Sequence, residues 1–182
     1  MSLGIKKIEK TLMKKENELD VVLSKNRIVV RACSNSIKAM HSGNTKEAKK
    51  YLKDAEETLG KIRKYQNEFP AQLNHVLQEY AEARIVLSAV EKGKIPSFDE
   101  LKVGEISYLN GLLDAIGELK REMYESLRHG KKKKAGKYFE MMEQIYDELL
   151  PLRFSNSVLP EFRRKQDSAR HQIEQARGEL LR

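Results

Sequence analysis

Hydrophobic residues recur at helical spacing along almost the whole chain. No segment alternates β-branched and polar residues between turn signals, as a half-buried strand does. The pattern therefore favours an all-α bundle of six to seven helices. The two clearest apolar stripes consist of Leu73, Val76, Leu77, Tyr80, Ala83, Leu87 and Val90, and of Leu109, Leu112, Leu113, Ile116, Leu119, Met123 and Leu127.

Turn and capping residues divide this pattern into separate helices. The first is expected from Ile5 to Met40, where the sequence His41-Ser42-Gly43 ends it. Asn44 and Ser97 are each followed three residues later by Glu, which is the signature of a capping box. Further helices are predicted from Asn44 to about Tyr65, from Pro70 to about Glu91, briefly after Ser97, from Gly104 to about His129, from the Lys131–Lys134 run to about Leu150, and from about Pro160 to Leu181.

The length of 182 residues fits one helical domain, predicted to span residues 1–182. A single cysteine, Cys33, excludes an intramolecular disulfide and is expected to be packed inside a helix rather than reactive. It also fits a reducing compartment, so a cytoplasmic location is expected. No apolar run approaches the roughly 18 residues of a membrane span, and no membrane partner is expected.

The net charge of +8, from 35 Lys and Arg against 27 Asp and Glu, favours a polyanionic partner such as nucleic acid. Lys25, Arg27 and Arg31 on the first helix are candidates for a phosphate path. The Lys131–Lys134 run is more typical of a solvated loop between helices than of a binding motif.

Two pairs of carboxylates stand at helical spacing. Glu79 and Glu82 are three residues apart, and Asp114 and Glu118 are four apart, so each pair shares one side of its helix. Glu82, Asp114 and Glu118 point away from the apolar stripes and Glu79 lies at the edge of one. These side chains are therefore not expected in the core of a single subunit.

The carboxylate pairs have two interpretations. Because charged residues make up 34% of the chain, they could be two solvated acidic faces. If the two helices are neighbours, they could instead hold Mg²⁺ or Mn²⁺, hard cations that prefer oxygen ligands and assist phosphodiester hydrolysis. No Glu has a His three residues later, which argues against a ferritin-like di-iron site. His75, four residues before Glu79, is a candidate ligand or proton carrier, or an ordinary surface histidine.

Two segments resemble the translin and translin-associated factor X family. The segment Leu77–Ala83, Leu-Gln-Glu-Tyr-Ala-Glu-Ala, is similar to the Leu-Gln-Glu-Tyr-Val-Glu-Ala of factor X. The segment Tyr108–Arg121 looks like the helix in which that family places Tyr, Leu, Gly, Asp, Gly, Glu, Leu and Arg in the same register. The resemblance implies a seven-helix subunit that assembles into a closed octameric shell around a cavity, and a metal-dependent endoribonuclease activity.

The resemblance also assigns roles to residues. Glu79, Glu82, Asp114 and Glu118 fall on the family's acidic residues, which implies that they are catalytic and hold Mg²⁺ or Mn²⁺. Translin subunits proper lack the two glutamates of the first segment and mainly bind nucleic acid. The predicted function is therefore metal-dependent cleavage of single-stranded or short duplex RNA inside a homo-oligomeric shell. The alternative is a non-catalytic shell that binds single-stranded RNA or DNA.

The sequence departs from the eukaryotic pattern of the family in two loops. A compact turn from Gly93 to Pro96 replaces a long insertion, and a Lys-rich loop follows Gly130. These differences suggest a prokaryotic or archaeal homologue that assembles from one kind of subunit. They affect the loops and partner contacts rather than the acidic residues.

Overall fold

The computed structural model describes residues 3–181, and these form seven α-helices, a single 3₁₀ turn and no strand. The all-α prediction is confirmed, whereas the predicted domain limits at residues 1 and 182 lie outside the described range. The helices are α1 (Ile5–His41), α2 (Thr45–Ile62), α3 (Pro70–Lys92), α4 (Phe98–Leu101), α5 (Glu105–Arg128), α6 (Lys132–Leu149) and α7 (Phe162–Leu180), with the 3₁₀ turn Arg63–Tyr65 directly after α2.

The helix ends follow the capping signals of the sequence. The Asn44 side chain accepts a hydrogen bond from the Glu47 backbone N–H at 3.2 Å, which starts α2. Ser97 and Glu100 form a complete capping box at the start of α4. Gly93, at φ 64°, ends α3 in the left-handed conformation that glycine adopts without steric cost.

The lysine run is not the loop that the sequence analysis expected. Lys131 precedes α6, and Lys132–Lys134 form the first turn of that helix. Positive charges at a helix N-terminus interact unfavourably with the helix dipole, so capping preferences alone predict a loop here. The apolar face of α6, which buries Ala135 and Tyr138, overrides that preference.

Helices α3 and α5 pack against each other at the centre of the bundle. On one side α1 packs on α2 and α3, and on the other α6 and α7 pack on α5. The first buried residue of α1 is Val22, so the N-terminal half of this long helix buries no side chain within the subunit, although Lys15 reaches Glu68 at 3.6 Å. None of the helices described is both long and apolar enough to cross a membrane.

Candidate functional site

A cavity of about 730 Å³ opens between α3, α5 and α7. Three of the four predicted acidic residues line it, Glu79 and Glu82 from α3 and Asp114 from α5. Two basic residues of α7, Arg164 and Lys165, line the opposite side. The structure therefore brings carboxylates from two helices and cations from a third into one enclosure.

A glycine allows α3 and α5 to approach closely enough to form this cavity. A Cβ atom placed on Gly111 would lie 2.9 Å from the Cβ of Ala81 and 3.1 Å from the backbone oxygen of Gln78. Only a residue without a side chain fits this crossing. Because Ala81 stands between the two glutamates of α3, the crossing places Glu79 and Glu82 beside Asp114.

Lys165 neutralises Asp114 directly. Its ammonium contacts both carboxylate oxygens, at 2.5 Å from Oδ2, and Gln78 Nε2 donates to the same oxygen at 2.7 Å. The Lys165 and Asp114 side chains are only 15% and 25% exposed. None of the four predicted acidic side chains belongs to the buried core, as the sequence indicated, although all four are partly covered by neighbouring helices. Lys165 is 51 residues from Asp114, and no local sequence signal connects the two.

Glu118 is held apart from the cavity by a histidine. His41 Nε2 lies 2.5 Å from Glu118 Oε2, and His41 Nδ1 lies 2.7 Å from Glu122 Oε1. The imidazole is 6% exposed. Burial alone would lower the pKa of His41, but the hydrogen bonds to the two carboxylates and their charges outweigh it and raise the pKa to about 9. The same hydrogen bond from His41 holds the pKa of Glu118 below its ordinary value.

Glu79 and Glu82 of α3 are partly buried near other negative charges, and nearby positive charge does not fully compensate them. Burial, followed by the negative charges of Asp114, Glu79 and Glu118, raises the pKa of Glu82 to about 8. Burial also raises the pKa of Glu79, and Asp114 adds to the effect while His75 opposes it. The single charge of Lys165 therefore does not fully compensate the carboxylates of the cavity, and a cation of higher charge would be stabilised there.

The four predicted ligands do not form a preassembled metal site. Within residues 3–181 no three His, Cys, Asp or Glu side chains are grouped so that they could hold an ion. Asp114 is engaged by Lys165 and Glu118 by His41. The chemistry of the cavity still fits a hard cation, because Asn110 and Gln172 are among its lining residues and each carries a buried side-chain oxygen that accepts no hydrogen bond.

A basic groove adjoins the acidic cavity. Arg27 and Arg31 of α1 line a depression of about 630 Å³ together with α3. Ala71 and the exposed His75 line both the groove and the cavity, so the two are continuous. Lys25, the third predicted phosphate contact, is not among the groove residues, because it lies about 200° around the helix from Arg27.

Cys33 is a packing residue, as predicted. It is 1% exposed in the face of α1 that meets α3. Burial, together with the nearby charges of Glu79 and Glu82, raises the pKa of the thiol to about 12. The Cys33 thiol therefore lies close to these two glutamates of α3.

Similar solved structures share both the fold and the extent of this chain. A chain of AfC3PO in complex with duplex RNA superposes with a TM-score of 0.91 at 30% identity, covering 98% of this chain and 95% of that one. The crystal structure of AfC3PO gives a TM-score of 0.83 at 31% identity, covering 97% and 92%. Apo-NeC3PO, at 24% identity with a TM-score of 0.89 and coverage of 100% and 97%, shows the fold alone.

Sequence comparison agrees with these structures. The uncharacterized protein MJ0175 of Methanocaldococcus jannaschii is 32% identical over 174 residues, which cover 93% of this chain and 78% of that protein. Residues 4–176 match the model of the Translin family. The match extends over nearly all of the chain and confirms the resemblance found in the two acidic segments, so this protein belongs to the Translin family.

Proposed function

We propose that this protein binds RNA and cleaves it as a metal-dependent endoribonuclease. The observation that carries the proposal is the cavity in which Glu79, Glu82 and Asp114 converge beside a basic groove. Such an arrangement offers cations to the phosphate backbone on one side and anionic oxygens for a metal ion on the other.

Binding of RNA is supported by the groove and by a relative. AfC3PO, 30% identical to this chain, has been captured with duplex RNA. In this protein Arg27 and Arg31 lie one turn apart on α1, so both guanidinium groups can reach successive phosphates of one strand. Single-stranded RNA and short duplexes are the proposed substrates, and single-stranded DNA is a proposed additional ligand.

The acidic residues have distinct proposed roles. Glu79, Glu82 and Asp114 would hold Mg²⁺ or Mn²⁺, and Glu118, one turn beyond Asp114, is the fourth candidate ligand. A bound divalent ion supplies stabilisation of negative charge on the phosphate and a more acidic water. His75, exposed where the groove meets the cavity, is placed to exchange protons with the RNA.

We also propose that the chain assembles into a closed homo-oligomer, an octamer of one kind of subunit, in the cytoplasm. The N-terminal half of α1 exposes a row of apolar side chains that the subunit does not cover. Ile5, Ile8 and Leu12 are 61%, 53% and 59% exposed and follow one another at intervals of three and four residues. Contact with further copies would remove this row from water.

The alternative is a non-catalytic shell that binds single-stranded RNA or DNA. One observation favours it, namely that Asp114 and Glu118 already have cationic partners in Lys165 and His41. A protein that only binds RNA has no need to separate these carboxylates from their cationic partners, whereas a metal site does.

A cleavage assay separates the two functions. Labelled single-stranded RNA and a short RNA duplex are incubated with the protein in Mg²⁺, in Mn²⁺ and in EDTA, beside size-exclusion chromatography with light scattering. We expect fragments only with metal, from a particle of about eight subunits. An RNA mobility shift without fragments in either metal, using a preparation that is free of contaminating nuclease, would establish the binding shell instead. A stable monomer at micromolar concentration would refute the assembly.

A further inference from the structure

We propose that Lys165 is the resident counter-ion of the acidic cavity, and that a divalent cation binds by displacing its ammonium from Asp114. Lys165 would then set how tightly the site holds metal. This inference rests on the proposed function, since it concerns the same cavity. It assigns a role to a residue of α7 that the motifs of α3 and α5 do not include.

The geometry makes the two cations competitors for the same oxygens. The ammonium of Lys165 contacts Oδ1 and Oδ2 of Asp114 together, and Gln78 Nε2 takes a further position on Oδ2. A divalent ion needs at least one of these oxygens at about 2.0 to 2.6 Å. A divalent ion on the remaining acceptor position of Oδ1 would stand within a few ångströms of the ammonium, and repulsion between the two positive charges favours release of Lys165 from Asp114.

The burial of Lys165 shows how strongly the carboxylates hold it. Lysine side chains are almost never fully buried unless they are paired. The Lys165 side chain is 15% exposed and is paired with Asp114. Its ammonium also interacts favourably with Glu79 and Glu82 across the cavity. The charge of Lys165 therefore acts on three carboxylates, and a divalent ion in its place would neutralise them better.

The cavity offers the displaced ammonium other acceptors. Asn110 and Gln172 line the same enclosure, and each has a buried side-chain oxygen that accepts no hydrogen bond. Gln172 is two turns after Lys165 on α7 and so faces the same side. A flexible four-carbon side chain can exchange one oxygen partner for another without movement of the helix.

The test compares Mn²⁺ affinity, measured by electron paramagnetic resonance or calorimetry, in the full-length protein and its variants. Lys165→Gln keeps a hydrogen-bond donor beside Asp114 but removes the charge, and we expect Mn²⁺ to bind about tenfold or more tightly. Lys165→Arg keeps the charge and should leave the affinity within a few-fold of wild type. Lys133→Gln, an exposed lysine on α6, makes the same change in net charge and should have no effect.

The outcomes separate this inference from the proposed function. If Lys165→Gln binds Mn²⁺ no more tightly than wild type, while Asp114→Asn loses binding, the displacement is wrong and the metal site stands. If neither wild type nor Lys165→Gln binds Mn²⁺ at millimolar concentration, both proposals fall. A measurement on wild type needs no folded variant: titration with Mg²⁺ should shift the nuclear magnetic resonance signal of the Lys165 ammonium or Cε. An unchanged signal at saturating Mg²⁺ would overturn the displacement.

Discussion

Gly111 of α5 lies directly against Ala81 of α3, so closely that a methyl group on the glycine would come within 2.9 Å of the alanine Cβ. Ala81 stands between Glu79 and Glu82, and Gly111 stands three residues before Asp114. This close contact between the two central helices therefore also brings the carboxylates of α3 beside Asp114. Both the packing of α3 against α5 and the candidate site therefore depend on the absence of a side chain at Gly111.

Gly111→Ala should destabilise the protein and separate the carboxylates. The new Cβ would meet Ala81 and the α3 backbone, which cannot rotate away as a flexible side chain can. Overpacking of this kind costs about 1 to 3 kcal/mol in the free energy of unfolding, measured by denaturant titration. RNA cleavage should fall even in the folded fraction.

Gly136→Ala is the matched control for that change. Gly136 lies inside α6, and a Cβ there would have nothing within 4 Å. Alanine in an open helical position should leave stability unchanged or raise it by up to about 1 kcal/mol. Equal effects of the two substitutions would show that the α3–α5 contact has no special role.

The fold was largely predictable because its information is local. Helical periodicity and the caps at Asn44 and Ser97 place the helices to within a few residues. The errors fall where packing competes with local preference, as in Lys132–Lys134, which lie in α6 although lysines at a helix N-terminus are unfavourable. Capping rules describe an isolated helix, whereas the apolar face of α6 secures it in the bundle.

The candidate site was predictable only in part. The spacing of Glu79 with Glu82 and of Asp114 with Glu118 shows which carboxylates share a helix side, but not what faces them. Their partners come from distant elements, His41 from 77 residues before Glu118 and Lys165 from 51 residues after Asp114. Such contacts depend on how three helices pack, and periodicity within one helix carries no information about that.

Replacement of Arg27 and Arg31 by alanine together should weaken RNA binding and make it less sensitive to salt. Each phosphate contact to a single strand contributes about 0.7 to the slope of log affinity against log salt, so the slope should drop by about 1.4. Fluorescence anisotropy with labelled RNA at several salt concentrations measures this. Lys61→Ala removes an exposed charge from α2, outside the groove, and should retain the wild-type slope. An unchanged slope in the double variant would show that RNA does not bind along this groove.

The stabilisation that His41 gives to the folded protein should be lost at alkaline pH. The pKa of its side chain is about 9 in the folded protein and 6.5 in the unfolded chain. A raised pKa stabilises fully below the unfolded value, and the stabilisation disappears as pH rises from about 6.5 to about 9. His41→Gln should therefore lower the free energy of unfolding at pH 6, by up to about 3 kcal/mol, and by much less at pH 9.5.

Thermal unfolding of wild type and His41→Gln at both pH values gives this difference. His171, whose side chain is 65% exposed on α7, is the control, and His171→Gln should show no such pH dependence. A destabilisation by His41→Gln that is equally large at pH 6 and pH 9.5 would mean that the imidazole packs as a neutral ring.

Glu82→Gln should raise stability while it lowers activity. Because the pKa of Glu82 rises from 4.5 to about 8 on folding, wild type loses stability as pH rises through that interval. Glutamine removes this loss, so the variant should gain roughly 1 to 3 kcal/mol over wild type at pH 8.5 and little at pH 5. Denaturant titration at both pH values tests it, with the exposed Glu57→Gln of α2 as the control. A variant that is less stable than wild type at pH 8.5 would contradict the repulsion among these carboxylates.

Asp114→Asn should abolish cleavage while assembly and RNA binding persist. The amide keeps the shape of the side chain and a hydrogen bond with Gln78, but removes the anionic oxygen that a hard cation needs, so cleavage should fall by orders of magnitude. RNA binding should stay equal or become tighter, because Lys165 loses its partner and its charge becomes available to phosphate.

Cleavage gels, anisotropy and light scattering on one preparation measure all three properties, and Asp147→Asn, an exposed position on α6, is the matched control. Glu79→Gln and Glu118→Gln should follow the same pattern less completely, since a ligand acting through water is partly replaceable. Cleavage by Asp114→Asn at the wild-type rate would place the chemistry outside this cavity.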